Sequence, residues 1–183
     1  MSRPVAVAIT GGIGAGKSEA LAAFARHGAA TLSADQVVHD LIAQDPEVRS
    51  ALQARFGSTD RANIGKVVFA DRGALQWLEQ LLHPRVAAIQ RGWLETVEAP
   101  VAVVEIPLLY ETGGEARFDK VVVVTAPAEL RAERRRPPAD DRDARLLPDE
   151  EKLARADYAY VNDGTLAALD AWVAGVMAEL CGG

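Results

Sequence analysis

The sequence predicts an α/β fold: a five-stranded parallel sheet flanked by helices, with a helical insert and a short lid. Three observations predict it. Strand-like and helix-like segments alternate along the 183 residues, as they do when parallel strands are joined by crossover helices. Several strand-like runs are continuously apolar, with four valines in a row at 121–124, and such strands are buried on both faces. The stretch 57–98 holds no good strand and reads as successive helices.

The elements follow in order. Val5, Val7 and Ile9 mark a first buried strand over 5–9, and a first helix runs over 17–27 to a stop at Gly28. A short second strand covers 29–32. Helices follow over 36–44 and 46–56, the second started by Asp45 and Pro46. Within the insert, 60–69, 73–82 and 84–98 read as helices, with Pro84 as a first-turn proline. Residues 101–106 form a third strand and 120–125 a fourth, which Ala126 and Pro127 turn into a helix over 128–136. Residues 137–147 are charged and proline-bearing, hence a mobile loop, and 148–156 is helical. A last strand at 158–161, a turn at 162–164 and a closing helix over 165–180, capped by Thr165, complete the chain. The whole reads as one domain, 1–183, containing the insert 57–98 and a lid at 131–147.

Between the first strand and first helix stand Gly11, Gly12, Ile13, Gly14, Ala15, Gly16, Lys17 and Ser18, a G-x-x-x-x-G-K-[ST] match in its required strand–loop–helix context. Phosphates must approach bare backbone N–H groups, so side chains would be in the way. Glycine also permits the angles that curl successive N–H groups into an anion nest. The helix start adds its unpaired N–H groups and dipole. Lys17 reaches for the β/γ-phosphates, and the Ser18 hydroxyl suits Mg²⁺. The loop therefore points to a nucleoside triphosphate but does not name the acceptor.

Composition narrows the class. A hydrophobic content of 49% and charged content of 25% are ordinary for a globular protein. A net charge of −6 argues against general nucleic-acid binding. The single cysteine, Cys181, excludes an internal disulfide framework, and there is no zinc spacing. No signal-like N-terminus and no membrane-length apolar run occurs, which points to the cytoplasm.

Ligands of open parallel sheets bind at the carboxyl ends of the strands, and several charged segments fall there. Asp35 follows the second strand; it suits a base that readies an incoming hydroxyl, and equally a helix N-cap. Arg131, Arg134, Arg135, Arg136, Arg142 and Arg145 suit a lid that closes on phosphate, although Asp140, Asp141 and Asp143 among them also fit a solvated face. Glu105 and Glu111, near the end of the third strand, are acids that could approach Mg²⁺ or serve as turn residues. His83 between Leu82 and Pro84 reads first as structural. Trp77 and Trp93 read as core.

Taken together, these segments resemble the dephospho-coenzyme A kinase family. The likeness rests on the glycine loop and on Ala34-Asp35. It continues through Asp60-Arg61, Leu82-His83-Pro84-Arg85 and Pro107-Leu108-Leu109-Tyr110-Glu111. It ends with Phe118-Asp119-Lys120 and with Lys152 through Asn162-Asp163-Gly164. It covers nearly the whole chain. It implies a P-loop kinase, nucleotide-kinase-like, that phosphorylates the ribose 3′-hydroxyl of dephospho-coenzyme A with ATP and Mg²⁺. By that resemblance Asp35 is the base and the insert binds the coenzyme, with Arg61, His83 and Leu108 as contacts. Arg134 and Arg142 are the lid arginines, and Asn162 and Gly164 lie near adenine. A monomer or weak homo-oligomer is expected. Glu19 stands where the family has Thr, Ser33 where it has Asp and Leu146 where Gln is common. The lid is short, so the arginine that meets the transferred phosphate is left open between Arg134, Arg142, Arg135 and Arg136.

Overall fold

The computed structural model describes residues 3–134 and 146–182. They form two compact units: Met1–Ser33 with Leu94–Gly183, and Ala34–Trp93.

The first unit is built on a five-stranded sheet of β1 (Val5–Thr10), β2 (Ala30–Ser33), β3 (Val101–Glu105), β4 (Lys120–Thr125) and β5 (Tyr158–Val161). The strand order is β2-β3-β1-β4-β5, and every neighbouring pair is parallel. All five residues of β3 are buried, and β4 is buried beyond its first residue, which matches their unbroken apolar sequence. The edge strand β5 alternates between half-buried and exposed positions. Helices α1 (Lys17–Arg26) and α8 (Leu166–Cys181) share one core with the sheet: Ala20, Ala23 and Phe24 from α1, Leu169, Val173 and Met177 from α8, and Val7, Val103 and Val122 from the strands. Thr165 caps α8 by accepting from Ala168 N. Two shorter helices, α6 (Ala128–Arg134) and α7 (Asp149–Ala154), follow β4 and precede β5.

The order places β1 between β3 and β4. The chain leaves β1 toward one edge of the sheet and later crosses β1 to reach β4 and the other edge. This reversal is the topological switch point, where doubly wound sheets bind ligands, and the glycine loop sits on it.

The second unit holds α2 (Ala34–Gln44), α3 (Pro46–Phe56) and α4 (Arg61–Ala70), together with most of α5 (Arg72–Thr96). Asp45 caps α3 through Val48 N ahead of Pro46, and Asp60 caps α4 through Asn63 N. Phe56 and Trp77, both half-buried, meet edge to face at 5.3 Å within this unit.

Two sequence expectations are corrected here. Helices at 73–82 and 84–98 are one continuous helix, α5, and Pro84 lies inside it rather than at its start. Ala74, Leu82 and Gln90 define the buried face at eight-residue spacing, whereas Gln80 and Pro84 are exposed. The hydrogen bond that Pro84 cannot donate would go to the Gln80 carbonyl, on the solvent side. Arg85 supports the same turn by donating from Nη1 to the Leu81 carbonyl at 2.9 Å and from Nη2 to Glu47 at 3.1 Å. Second, α2 begins at Ala34, directly after β2, so Asp35 lies within its first turn. No membrane-spanning helix occurs: among the described residues none is long and apolar enough.

Candidate active site

The glycine loop leaves the buried end of β1, and its shape is set by what surrounds it. Gly11 (φ +147°) passes so close to β4 that a Cβ there would lie 1.8 Å from the Val124 carbonyl oxygen. Gly16 (φ +97°) is left-handed, and its Cβ would lie 2.2 Å from Asn162 Nδ2. Gly16 is also the N-cap of α1 and supplies no side-chain hydrogen bond, so the first amides of α1 face the loop uncapped. Ala15 is fully buried, Ile13 is half-buried and Ser18 is exposed on the first turn.

Lys17 is buried, and its ammonium donates to the carbonyls of Gly11 at 3.1 Å and Gly12 at 3.0 Å. The cation is thereby held across the mouth of the loop. Asn162, at the carboxyl end of β5, is buried and binds three ways. Its backbone N–H donates to the Thr125 carbonyl at 2.7 Å, and Nδ2 donates to the Ala15 carbonyl at 2.9 Å. Its own carbonyl accepts from Arg134 Nη1 at 3.3 Å. The structure thus brings together the loop, Asn162 and Arg134, while Gly164 is exposed in the following turn. Arg142, with Arg135, Arg136 and Arg145, lies outside the described residues.

The loop after β3 is fastened beside β1, since Thr10 Oγ1 donates to the Pro107 carbonyl at 3.2 Å. Leu108 follows, half-buried, with its carbonyl accepting from Thr112 Oγ1 at 2.8 Å. Glu105 is buried in register with Ile9 and Ser33. Glu111, considered as a metal ligand, is committed elsewhere. Its Oε1 accepts from Leu147 N at 2.8 Å and lies 2.9 Å from the ammonium of Lys152, which is fully buried.

In the helical unit, Asp35 is exposed and makes no hydrogen bond or ion pair with the described residues. Arg61, the first residue of α4, is exposed and donates from Nη1 to His39 Nδ1 at 3.3 Å. His83 is exposed on α5. Sequence reasoning missed the roles of His39, Asp149 and Lys152. Their partners lie 18 to 41 positions away in the chain, and no local pattern announces such pairings.

A phosphate-binding loop at the switch point of a parallel sheet, with a lysine across its mouth and an uncapped helix start behind it, defines a P-loop nucleotide-dependent kinase. The family model for dephospho-CoA kinase matches residues 5–168. A dephospho-CoA kinase of Mesorhizobium japonicum is 38% identical, over 97% of this chain and 98% of its own. Another, from Coxiella burnetii, is 34% identical over 89% and 90%. The crystal structure of TT1252 from Thermus thermophilus superposes with a TM-score of 0.80 at 33% identity, covering 98% of this chain and 99% of that one. Dephospho-CoA kinase from Campylobacter jejuni superposes at 0.69 and 26% identity over both whole chains. A shikimate kinase from Acinetobacter baumannii, 12% identical with a TM-score of 0.58, shares the fold. The chain belongs to the dephospho-CoA kinase family, whose enzymes pass phosphate from ATP to dephospho-CoA.

Proposed function

We propose that in this transfer the glycine loop holds ATP and Asp35 serves as the base for the acceptor. Asp35 accepts the proton of the ribose 3′-hydroxyl of dephospho-coenzyme A and lines that oxygen up with the γ-phosphate. Arg61, His83 and Leu108 contact the coenzyme. Gly11, Gly12, Ile13, Gly14, Ala15 and Gly16 cradle the phosphates, and Lys17 with Arg134 offsets the charge of the migrating group. Asn162 and Gly164 border the adenine. The family resemblance adds Arg142 as a further lid arginine. Positioning and electrostatics supply the acceleration, without a covalent intermediate.

The single observation that carries this reading is the loop: curled main chain, an uncapped α1 and a buried lysine that donates to two loop carbonyls. Asp35 supports the rest, being an exposed carboxylate in the first turn after β2. The residues also suit Mg²⁺. The exposed Ser18 hydroxyl on the first turn of α1 and the phosphates themselves would hold the ion. When bound, Mg²⁺ neutralises charge on the β- and γ-oxygens. The reading places the enzyme in the cytoplasm, with its dissolved substrates.

Coupled ADP release with dephospho-coenzyme A, AMP, cytidine monophosphate and gluconate as alternative acceptors tests it. Turnover should be confined to dephospho-coenzyme A. Comparable turnover with AMP would assign the helical unit to a different acceptor.

A further inference from the structure

We infer that Arg131 contacts the nucleotide polyphosphate and that Asp149 is the residue that positions it. This rests on the ATP-binding role of the loop and adds two residues to it. Arg131 lies on α6 along the outside of the glycine loop. Its carbonyl oxygen would be 2.9 Å from a Cβ on Gly14, and its Nη1 would be 2.4 Å from a Cβ on Gly12. The side chain therefore runs back along the loop and sets its guanidinium beside the second glycine. No side chain larger than hydrogen would let it do so.

The guanidinium is fixed from one side. Nη1 lies 3.2 Å from Asp149 Oδ2, and the same oxygen accepts from Thr125 Oγ1 at 2.6 Å. Thr125 closes β4, which pairs with β1, so Asp149 ties the guanidinium to the sheet that carries the loop. Arg131 Nε is buried and has no hydrogen-bond partner among the described residues. A guanidinium has five donors in a planar fork that matches phosphate, and one carboxylate oxygen engages few of them. A pre-oriented cation with donors to spare, laid against a phosphate-binding loop, suits an anion arriving there.

The test is calorimetric binding of ATP and of adenosine, without acceptor, to wild type, Arg131→Ala, Asp149→Ala and the double variant. Arg131→Ala should raise the ATP dissociation constant about tenfold and leave adenosine unchanged, as expected for one charge-assisted contact. Asp149→Ala should raise it about threefold in wild type and add nothing in the Arg131→Ala background, the mark of action through Arg131. Asp149→Asn, which keeps an acceptor oxygen, should restore most of the loss. Unchanged ATP affinity in a folded Arg131→Ala protein overturns the contact, and an equal loss for adenosine overturns the assignment to phosphate. An Asp149 effect that persists in the double variant overturns the positioning role. Wild-type turnover with dephospho-coenzyme A is a separate readout, so failure of the kinase reading is distinguishable from failure of this one.

Discussion

Lys152 on α7 is fully buried, and its ammonium lies 2.9 Å from Oε1 of Glu111 in the loop after β3. The two charges attract without hydrogen-bond geometry, and Glu111 Oε2 is buried with no hydrogen-bond partner among the described residues. The pair joins the loop that carries Leu108 to the helix that follows residues 146–148. Glu111 also receives Leu147 N, so one carboxylate anchors both segments.

Removing one partner of such a pair strands a buried charge. Lys152→Met should cost about 3–5 kcal/mol in urea denaturation. Adding Glu111→Leu should recover part of that loss, because no buried charge then remains. A loss under about 1 kcal/mol for Lys152→Met would show the pair to be as weak as a solvated one.

Asp35→Asn should keep ATP affinity and lower kcat by about a hundredfold or more, the scale of a lost general base. Stopped-flow or coupled ADP release with dephospho-coenzyme A measures it, with calorimetry reporting ATP binding. Near-normal turnover would remove Asp35 from the mechanism.

Lys17→Ala should lower kcat/KM by about a hundredfold or more, because a cation held at the phosphates acts in both the ground and transition states. Unchanged kcat/KM would contradict the loop assignment. It should also cost about 1–3 kcal/mol in urea denaturation, because the buried carbonyls of Gly11 and Gly12 lose that donor.

Asn162→Ala should destabilise the fold by about 1–3 kcal/mol and weaken ATP binding, because the Ala15 carbonyl loses its donor in a buried setting. Denaturation and calorimetry on the same preparation read both effects. If stability falls and ATP affinity holds, Asn162 supports the fold but not the shape of the loop.

Asp119 governs the acid side of stability. Hydrogen bonding from Arg3 holds its carboxyl below the ordinary 3.8, against some desolvation, with help from Ala6 N. A depressed folded-state pKa means that the contribution is fully present above the ordinary value and disappears as pH falls through the lower, folded one. Asp119→Asn should therefore reduce stability at neutral pH and flatten its decline in acid. Urea midpoints taken across the acid range would show the two proteins converging at low pH, and parallel curves would refute the assignment.

Much of this architecture was legible from local pattern. The valine run of β4 is legible at its true limits, 120–125, because a fully apolar strand has few alternative placements. The glycine loop was legible because its chemistry is local. Pro84 misled because a proline after His83 looks like a helix start. That its carbonyl partner at Gln80 faces solvent depends on which side of α5 is buried, which is a tertiary fact. The two carboxylate networks were illegible for a similar reason. Lys152 reads as one more charge in an acidic helix until its burial is seen, and Asp149 reads as a first-turn acid until Thr125 and Arg131 converge on it. Asn162 stands out in the sequence, but its link to Ala15 spans 147 positions.

The glycines of the loop answer to protein neighbours as well as to phosphate. Gly11 abuts the Val124 carbonyl, Gly12 and Gly14 abut Arg131, and Gly16 abuts Asn162. A variant that gave up catalysis altogether would still find Gly11, Gly14 and Gly16 closed to alanine by their positive φ and close neighbours, whereas Gly12 faces only the movable tip of Arg131. An intact glycine signature in a distant descendant of this chain therefore testifies to inherited architecture and, taken alone, says nothing about whether that descendant still turns over.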